Sequence, residues 1–370
     1  MKKIYFGVAV LAILAVVSYM SFTEKGVIIK TEEKAPKIDI VAEKVSRMTL
    51  DEKIGQMMII GFETPHIDSH IKDMIQNYHV GGVNLLKRNV RSKNQMLELT
   101  QGLRDTASSS TDIPFMIAVD QEGGNVNRFD FLKNKEAQIN LPSGAQAYEE
   151  SLKRGRELKE IGITVNFGPV ADYVTNKKSY LFNRTFGVPA EDISSLASSM
   201  LRGYEDAGIQ GTLKHFPGYG NILNDPHKAS AGFDDVQLYE KSLQPFKDIL
   251  SEERDRAVMT AHIVIPQIDS KPATLSSRFL KDILREEWKF EGVIITDDLE
   301  MVSVGKVSVP ELAVEAVLAG NDMVISTYTS NLHPKIHDAI KKAVVEGIVS
   351  EKDIDKSVER ILIFKKYNPR

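Results

Sequence analysis

Two stretches of the chain carry residue types that can break or transfer polar bonds. In KHFPGYGNILNDPHKAS (residues 214–230), Asp225 stands two residues before His227 in a loop rich in turn-forming residues. A carboxylate so placed can turn back onto the imidazole, fix its tautomer and raise its pKa, which makes a general acid or base poised near neutral pH. In GVIITDDLEM (residues 292–301), Asp297 leaves an apolar run and is expected to point into an open mouth as a nucleophile. Three further apolar runs end in the same way, with Asp120 after FMIAV, Asp172 after NFGPVA and His262 after VMTA, and Lys214 and His215 follow GTL. One aspartate at a strand end is an ordinary turn or helix cap. The same pattern at five strand ends indicates a shared polar mouth. With no cysteine, no GxSxG and no HExxH in the chain, the chemistry left to such a mouth is acid–base or glycosyl transfer by carboxylates and imidazoles.

The elements that must position these groups are short apolar runs alternating with longer amphipathic stretches. IGQMMIIGF, GGVNLL, PFMIAVD, ITVNFGPVAD, QGTLKHF, AVMTAHIVI, GVIITDD and NDMVIS read as strands. IKDMIQNY, NQMLELTQGLRD, DISSLASSMLRGYEDAG, YEKSLQPFKDILSEE, SRFLKDILREEW and VPELAVEAVLAG, between them, have apolar residues at helical spacing. Strands separated by helices pair in parallel through right-handed crossovers. Eight such units over about 320 residues predict an α/β fold, a (β/α)8 barrel as a single catalytic domain over residues 41–370, whose active site forms at the C-terminal strand ends. A doubly wound open sheet is the rival architecture.

Composition bounds the partners and the compartment. The 370 residues hold 47 Lys+Arg against 51 Asp+Glu, a formal net charge of −4, with no basic stripe interleaved with aromatics, so nucleic acid is not an expected partner. The absence of cysteine excludes disulfides, thiolate metal sites and a lipid anchored through an N-terminal cysteine. Lys2 and Lys3 precede an uncharged run over residues 4–22, roughly the length that spans a bilayer core. Residues 1–22 therefore read as a signal anchor or signal peptide with the remainder exported, and the charged residues 23–40 as a tether, so that contact with a membrane is through this segment alone. A monomer is expected.

In the motifs themselves the chain resembles the β-N-acetylglucosaminidases of glycoside hydrolase family 3. The resemblance covers residues 41–370 and rests on DQEGGNVNR (120–128), NFGPVAD (166–172), NRTFG (183–187), KHFPGYG, the Asp-x-His pair, VMTAHIVIPQID, PATLSSRFL, TDDLEM and AGNDM, in the family's order. It implies retaining hydrolysis of terminal β-linked N-acetylglucosamine, in a glycan or muropeptide of cell-wall turnover, without metal or organic cofactor. It also implies Asp297 as the nucleophile that forms a covalent glycosyl-enzyme, His227 with Asp225 as acid/base, and Asp120, Arg184, Lys214 and His215 as hydrogen-bonding partners of the sugar. Such a pair of groups flanking the anomeric carbon is what retaining glycosidases require.

The chain departs from the family pattern at three positions. Tyr219 replaces a His in Pro-Gly-His-Gly, Asn125 replaces the Arg that usually follows DQEGG, and Pro226 replaces a Ser within the dyad. An amide cannot reproduce an Arg fork, so these changes favour an altered substrate preference over a loss of chemistry. The competing readings are a β-glycosidase of other sugar specificity, transfer to phosphate, and a non-catalytic cell-wall sugar-binding protein. Asp298 is expected to cap the following helix or orient a neighbour, His262 and Asp172 to be supporting residues, and Asp322 to be a buried strand-start carboxylate with backbone partners. His66, His70, His79, His333 and His337 are expected at solvated positions.

Overall fold

The computed structural model describes residues 18–23, 26–31, 39–223, 231–232, 235–301 and 307–366. Asp225, Pro226 and His227 lie outside the described residues, as does most of the N-terminal segment and tether. Within that segment, Ser18–Thr23 and Gly26–Thr31 pair antiparallel.

Eight parallel strands close into a barrel. They are β1 (Met58–Ile60), β2 (Gly82–Leu85), β3 (Met116–Val119), β4 (Val165–Asn166), β5 (Gln210–Phe216), β6 (Ala257–Thr260), β7 (Val293–Asp298) and β8 (Met323–Ser326). Each pairs with its neighbours in sequence, and β8 pairs with β1 through Val324–Met58 and Ser326–Ile60. Every one of the eight sequence runs contains one barrel strand, so the open-sheet rival is excluded. The runs read as nearly continuous Ile, Val, Leu and Met because a strand inside a barrel buries one face on the interior and the other under helices. Residues 257–265 form one run in sequence but serve two sheets. After β6 the chain leaves the barrel, and Ile263–Ile265 pairs in parallel with Ala231–Gly232 and antiparallel with Asp269–Pro272.

The helices follow their strands and cover the barrel. The helix Leu50–Gln56, which leads into β1, starts in a capping box in which Thr49 and Glu52 satisfy each other's backbone N–H. Ser308 and Glu311 form the same device ahead of β8 on Val309–Ala319. The helix Ala190–Ala207 stops at Gly208, whose φ of +83° is the left-handed conformation that lets the chain turn at once into β5. These caps fix where each strand begins, and hence which residues emerge at its C-terminal end. Gly144–Glu160 and His333–Val345 are helices whose mixed polar patterns the sequence reading did not single out.

Candidate active site

The C-terminal strand ends surround a cavity of about 280 Å³, walled by Asp120, Glu122, Asn125, Arg128, Arg184, Lys214, His215, Asp297, Asp298 and Thr327, with Tyr180 and Tyr328 at its sides. A chain of ion pairs crosses its floor. Lys214 is 1% exposed, and its Nζ lies 2.7 Å from both Asp120 Oδ1 and Glu122 Oε1. Arg184 donates to both oxygens of Glu122, Nε to Oε2 at 2.8 Å and NH2 to Oε1 at 2.7 Å. Asn84 donates to Asp120 Oδ2 at 3.3 Å.

Burial disfavours the charged form of each of these groups, but the pairing outweighs it. Lys214 and Arg128 hold Asp120 below the ordinary carboxylate range. Arg184 and Lys214 hold Glu122 far below it, and the two cations are raised in return. The floor is therefore a fixed array of full charges, rigid in position and rich in donors for hydroxyl or amide oxygens.

The DQEGG segment aims Glu122 through its glycines. Gly123 and Gly124 take φ of +89° and +56°, and a Cβ at Gly123 would lie 2.3 Å from Glu136 O. The fully buried Arg154 ties the turn down by donating to Glu122 O and Glu136 O, both at 2.7 Å.

A second network runs from β4 to Asp297. Asp172, fully buried, accepts from His215 Nδ1 at 2.7 Å, His215 N at 3.2 Å and Tyr219 N at 2.7 Å. With Nδ1 donating to Asp172, Nε2 of His215 is left to accept from Arg184 NH2, 3.4 Å away. The Tyr219 ring packs edge-on against His215, and its hydroxyl accepts from His262 N at 3.1 Å. His262 Nε2 then meets Asp298 O at 3.0 Å, where the N–H of Asp298 donates to Asp297 Oδ1 at 2.8 Å. Tyr219 thus links β4, β5 and β6, and burial pushes its phenol well above its usual pKa. The Asp298 carboxyl accepts from Glu300 N at 3.0 Å and from Thr327 Oγ1. Desolvation raises its pKa to about 7, with nearby Glu300 and Asp297 adding to the shift.

Of the residues named from sequence, Asp120, Arg184, Lys214, His215 and Asp297 come together in this one cavity. Asp298 caps the turn Leu299–Met301 and so falls into the orienting place expected of it. Asp322 is fully buried, accepting from Ile294 N at 2.8 Å and pairing with Arg285 and Arg360. The expectation of solvated histidines is overturned for two residues. His333 and His337 are 0% and 3% exposed, because they fall on the same helical stripe as Ile336 and Ile340 and face inward. His70 Nε2 meets His333 Nδ1 at 3.0 Å.

Glu122 is a site residue that the sequence does not reveal, as are Tyr180, Thr327 and Tyr328 of the cavity wall. Glu122 follows Asp120 by two residues within DQEGG, yet strand alternation alone does not reveal that a glycine turn folds it back under Lys214 and Arg184. Asp172, expected as a supporting residue, anchors His215. Among the described residues no group of three or more His, Asp or Glu is arranged to hold a metal ion.

A closed parallel barrel whose C-terminal mouth carries paired carboxylates, cations and a histidine defines a barrel enzyme. Residues 49–364 match the pattern described as the glycosyl hydrolase family 3 N terminal domain, and the chain belongs to glycoside hydrolase family 3. It is 34% identical over 286 residues to a β-hexosaminidase of Photobacterium profundum, covering 74% of this chain and 81% of that one. It is 30% identical to β-hexosaminidase A of Pseudoalteromonas piscicida over 69% of its own length, and spans about half, 47%, of that relative. A solved structure of a family 3 β-N-acetylglucosaminidase from Paenibacillus sp. superposes with a TM-score of 0.82 at 34% identity, covering 86% of this chain and 62% of that one.

Proposed function

We propose that the chain is a retaining exo-β-N-acetylglucosaminidase that removes terminal β-linked N-acetylglucosamine from peptidoglycan fragments outside the cytoplasmic membrane, held there by the N-terminal segment or released after its cleavage. Asp297 attacks the anomeric carbon and forms a glycosyl-enzyme. His227, oriented by Asp225, protonates the leaving oxygen and then deprotonates the water that resolves the intermediate. Asp120, Lys214, Arg184 and His215 hold the sugar hydroxyls and the N-acetyl group, with Glu122 fixing the two cations.

The observation that carries this reading is the placement of Asp297 in one cavity with the charge array of Asp120, Lys214, Glu122 and Arg184. The Asp297 carboxyl shares the cavity with a rigid set of hydrogen-bond donors and acceptors. The kinship with β-hexosaminidases supports the choice of sugar.

The test is parallel release of an aryl leaving group from a β-N-acetylglucosaminide and a β-glucoside by the wild type and by Asp297→Asn. Cleavage confined to the N-acetylated substrate and abolished in the variant is expected. Equal cleavage of the glucoside would overturn the sugar assignment, and turnover retained by Asp297→Asn would overturn the nucleophile.

A further inference from the structure

We infer that Glu300 is a positioning residue for the nucleophile: it ties the turn that follows Asp297 to the loop after β8 and so fixes the direction in which the Asp297 carboxyl group points. This rests on the assignment of Asp297 made above.

The barrel ladder does not hold Asp297 by itself. On the β6 side, pairing ends with Thr296 opposite Thr260, one residue short of it. On the β8 side, Ile295 pairs with Met323 and Asp298 with Ile325, so β7 advances three residues while β8 advances two, and Asp297 falls within the bulge. A bulge beside a site re-aims a side chain and interrupts the ladder as it does so. Side chains replace the missing bonds here. Ile325 N donates to Thr296 Oγ1 at 2.9 Å, and Asp298 accepts from Thr327 Oγ1.

Glu300 completes this set from the far end of the turn. Its Oε1 alone accepts from Ser326 Oγ at 2.7 Å, Tyr328 N at 2.8 Å and Thr329 N at 3.1 Å. Burial works against the charged form, but these bonds outweigh it and hold the carboxyl below the ordinary range. Back along the chain, Glu300 N donates to Asp298 Oδ1 at 3.0 Å, and Asp298 N donates to Asp297 Oδ1 at 2.8 Å. The nucleophile is thus joined to β8 through a short turn fixed at both ends. Glu300 stands behind the cavity wall rather than in it, so it acts through Asp297 and not on the sugar. Displacement of a reacting group by about 1 Å costs roughly a hundredfold in rate, which makes such a tie matter.

The experiment compares wild type, Glu300→Asp and Glu300→Gln. It measures kcat/KM for a dinitrophenyl N-acetyl-β-glucosaminide, whose leaving group needs no proton and so reports the attack by Asp297, and the Ki of free N-acetylglucosamine, which reports the sugar-binding wall. Glu300→Asp keeps the charge but is one methylene too short to reach the β8 loop, and kcat/KM is expected to fall about thirtyfold with Ki within about twofold of wild type. Glu300→Gln keeps the reach and an oxygen in the place of Oε1, and is expected to stay within about fivefold of wild type. Wild-type kcat/KM in Glu300→Asp overturns the proposal. So does a rise in Ki that matches the loss in kcat/KM, which is what a shifted β8 loop alone would give. A Glu300→Gln variant as slow as Glu300→Asp assigns the effect to charge and overturns positioning as its cause. Turnover retained by Asp297→Asn in the same assay overturns the nucleophile, and the role of Glu300 with it, whereas the other failures leave the nucleophile in place.

Discussion

Replacing Glu122 by Gln tests the electrostatic design of the floor. The substitution keeps size and one acceptor oxygen but removes the charge that Lys214 and Arg184 share. Lys214 retains Asp120 at 2.7 Å, while Arg184 loses the second half of its fork. Removing one partner of a buried ion pair typically costs 3–5 kcal/mol, and the acceptor that Gln keeps puts this case at the lower end, about 3 kcal/mol. At about 2.1 cal/mol/K per residue over roughly 320 residues, the unfolding entropy is near 0.7 kcal/mol/K, so Tm should fall by about 4–5 °C. Arg184 and Lys214 would also be freed to shift, and displacement of a positioning group by about 1 Å costs roughly a hundredfold in rate. The paired assays are thermal unfolding and kcat/KM on an aryl β-N-acetylglucosaminide. A variant within 1 °C and threefold of wild type, by about those margins, would refute the view that Glu122 organises the floor.

Three other perturbations probe the supporting network. In the folded chain the Asp298 carboxyl keeps its proton up to about pH 7, against an ordinary value of 3.8, so the stability it contributes is present below about pH 4 and lost as the pH rises to 7. Asp298→Asn should flatten that decline by up to about 4 kcal/mol in urea titrations across the interval, and parallel pH profiles for variant and wild type would remove Asp298 as its source. Tyr219→Phe takes away the acceptor that the hydroxyl offers His262 N, and should lower stability by about 1–3 kcal/mol in chemical denaturation; no change would mean that the contact is energetically idle. His227→Ala should slow a saccharide substrate about a hundredfold more than a dinitrophenyl glycoside, which needs no protonation, and equal losses on the two would exclude His227 as the acid.

Much of this protein was legible in the order of its residues. Eight apolar runs spaced by amphipathic stretches require parallel pairing with helical crossovers, and polar groups at the run ends must then gather at one mouth. That logic is local: it needs only the alternation of strand and helix and the handedness of the connections. It placed Asp120, Lys214, His215 and Asp297 in a common site, and the motif resemblance added Arg184.

Contacts between residues distant in the chain were decided by the tertiary structure alone. Glu122 becomes the shared counter-charge of Lys214 and Arg184 only because Arg154 and two glycines fold its turn beneath them. Tyr219 reads in sequence as a departure within a loop; in the fold it bonds Asp172 and His262 and packs on His215. His333 and His337 read as solvated because imidazole is polar, yet the stripe they share with Ile336 and Ile340 turns them inward. Periodicity determines which residues face the core or the mouth, whereas the partner each finds there, and with it the charge it carries, depends on closure of the barrel, which brings strand ends far apart in sequence to within hydrogen-bonding distance.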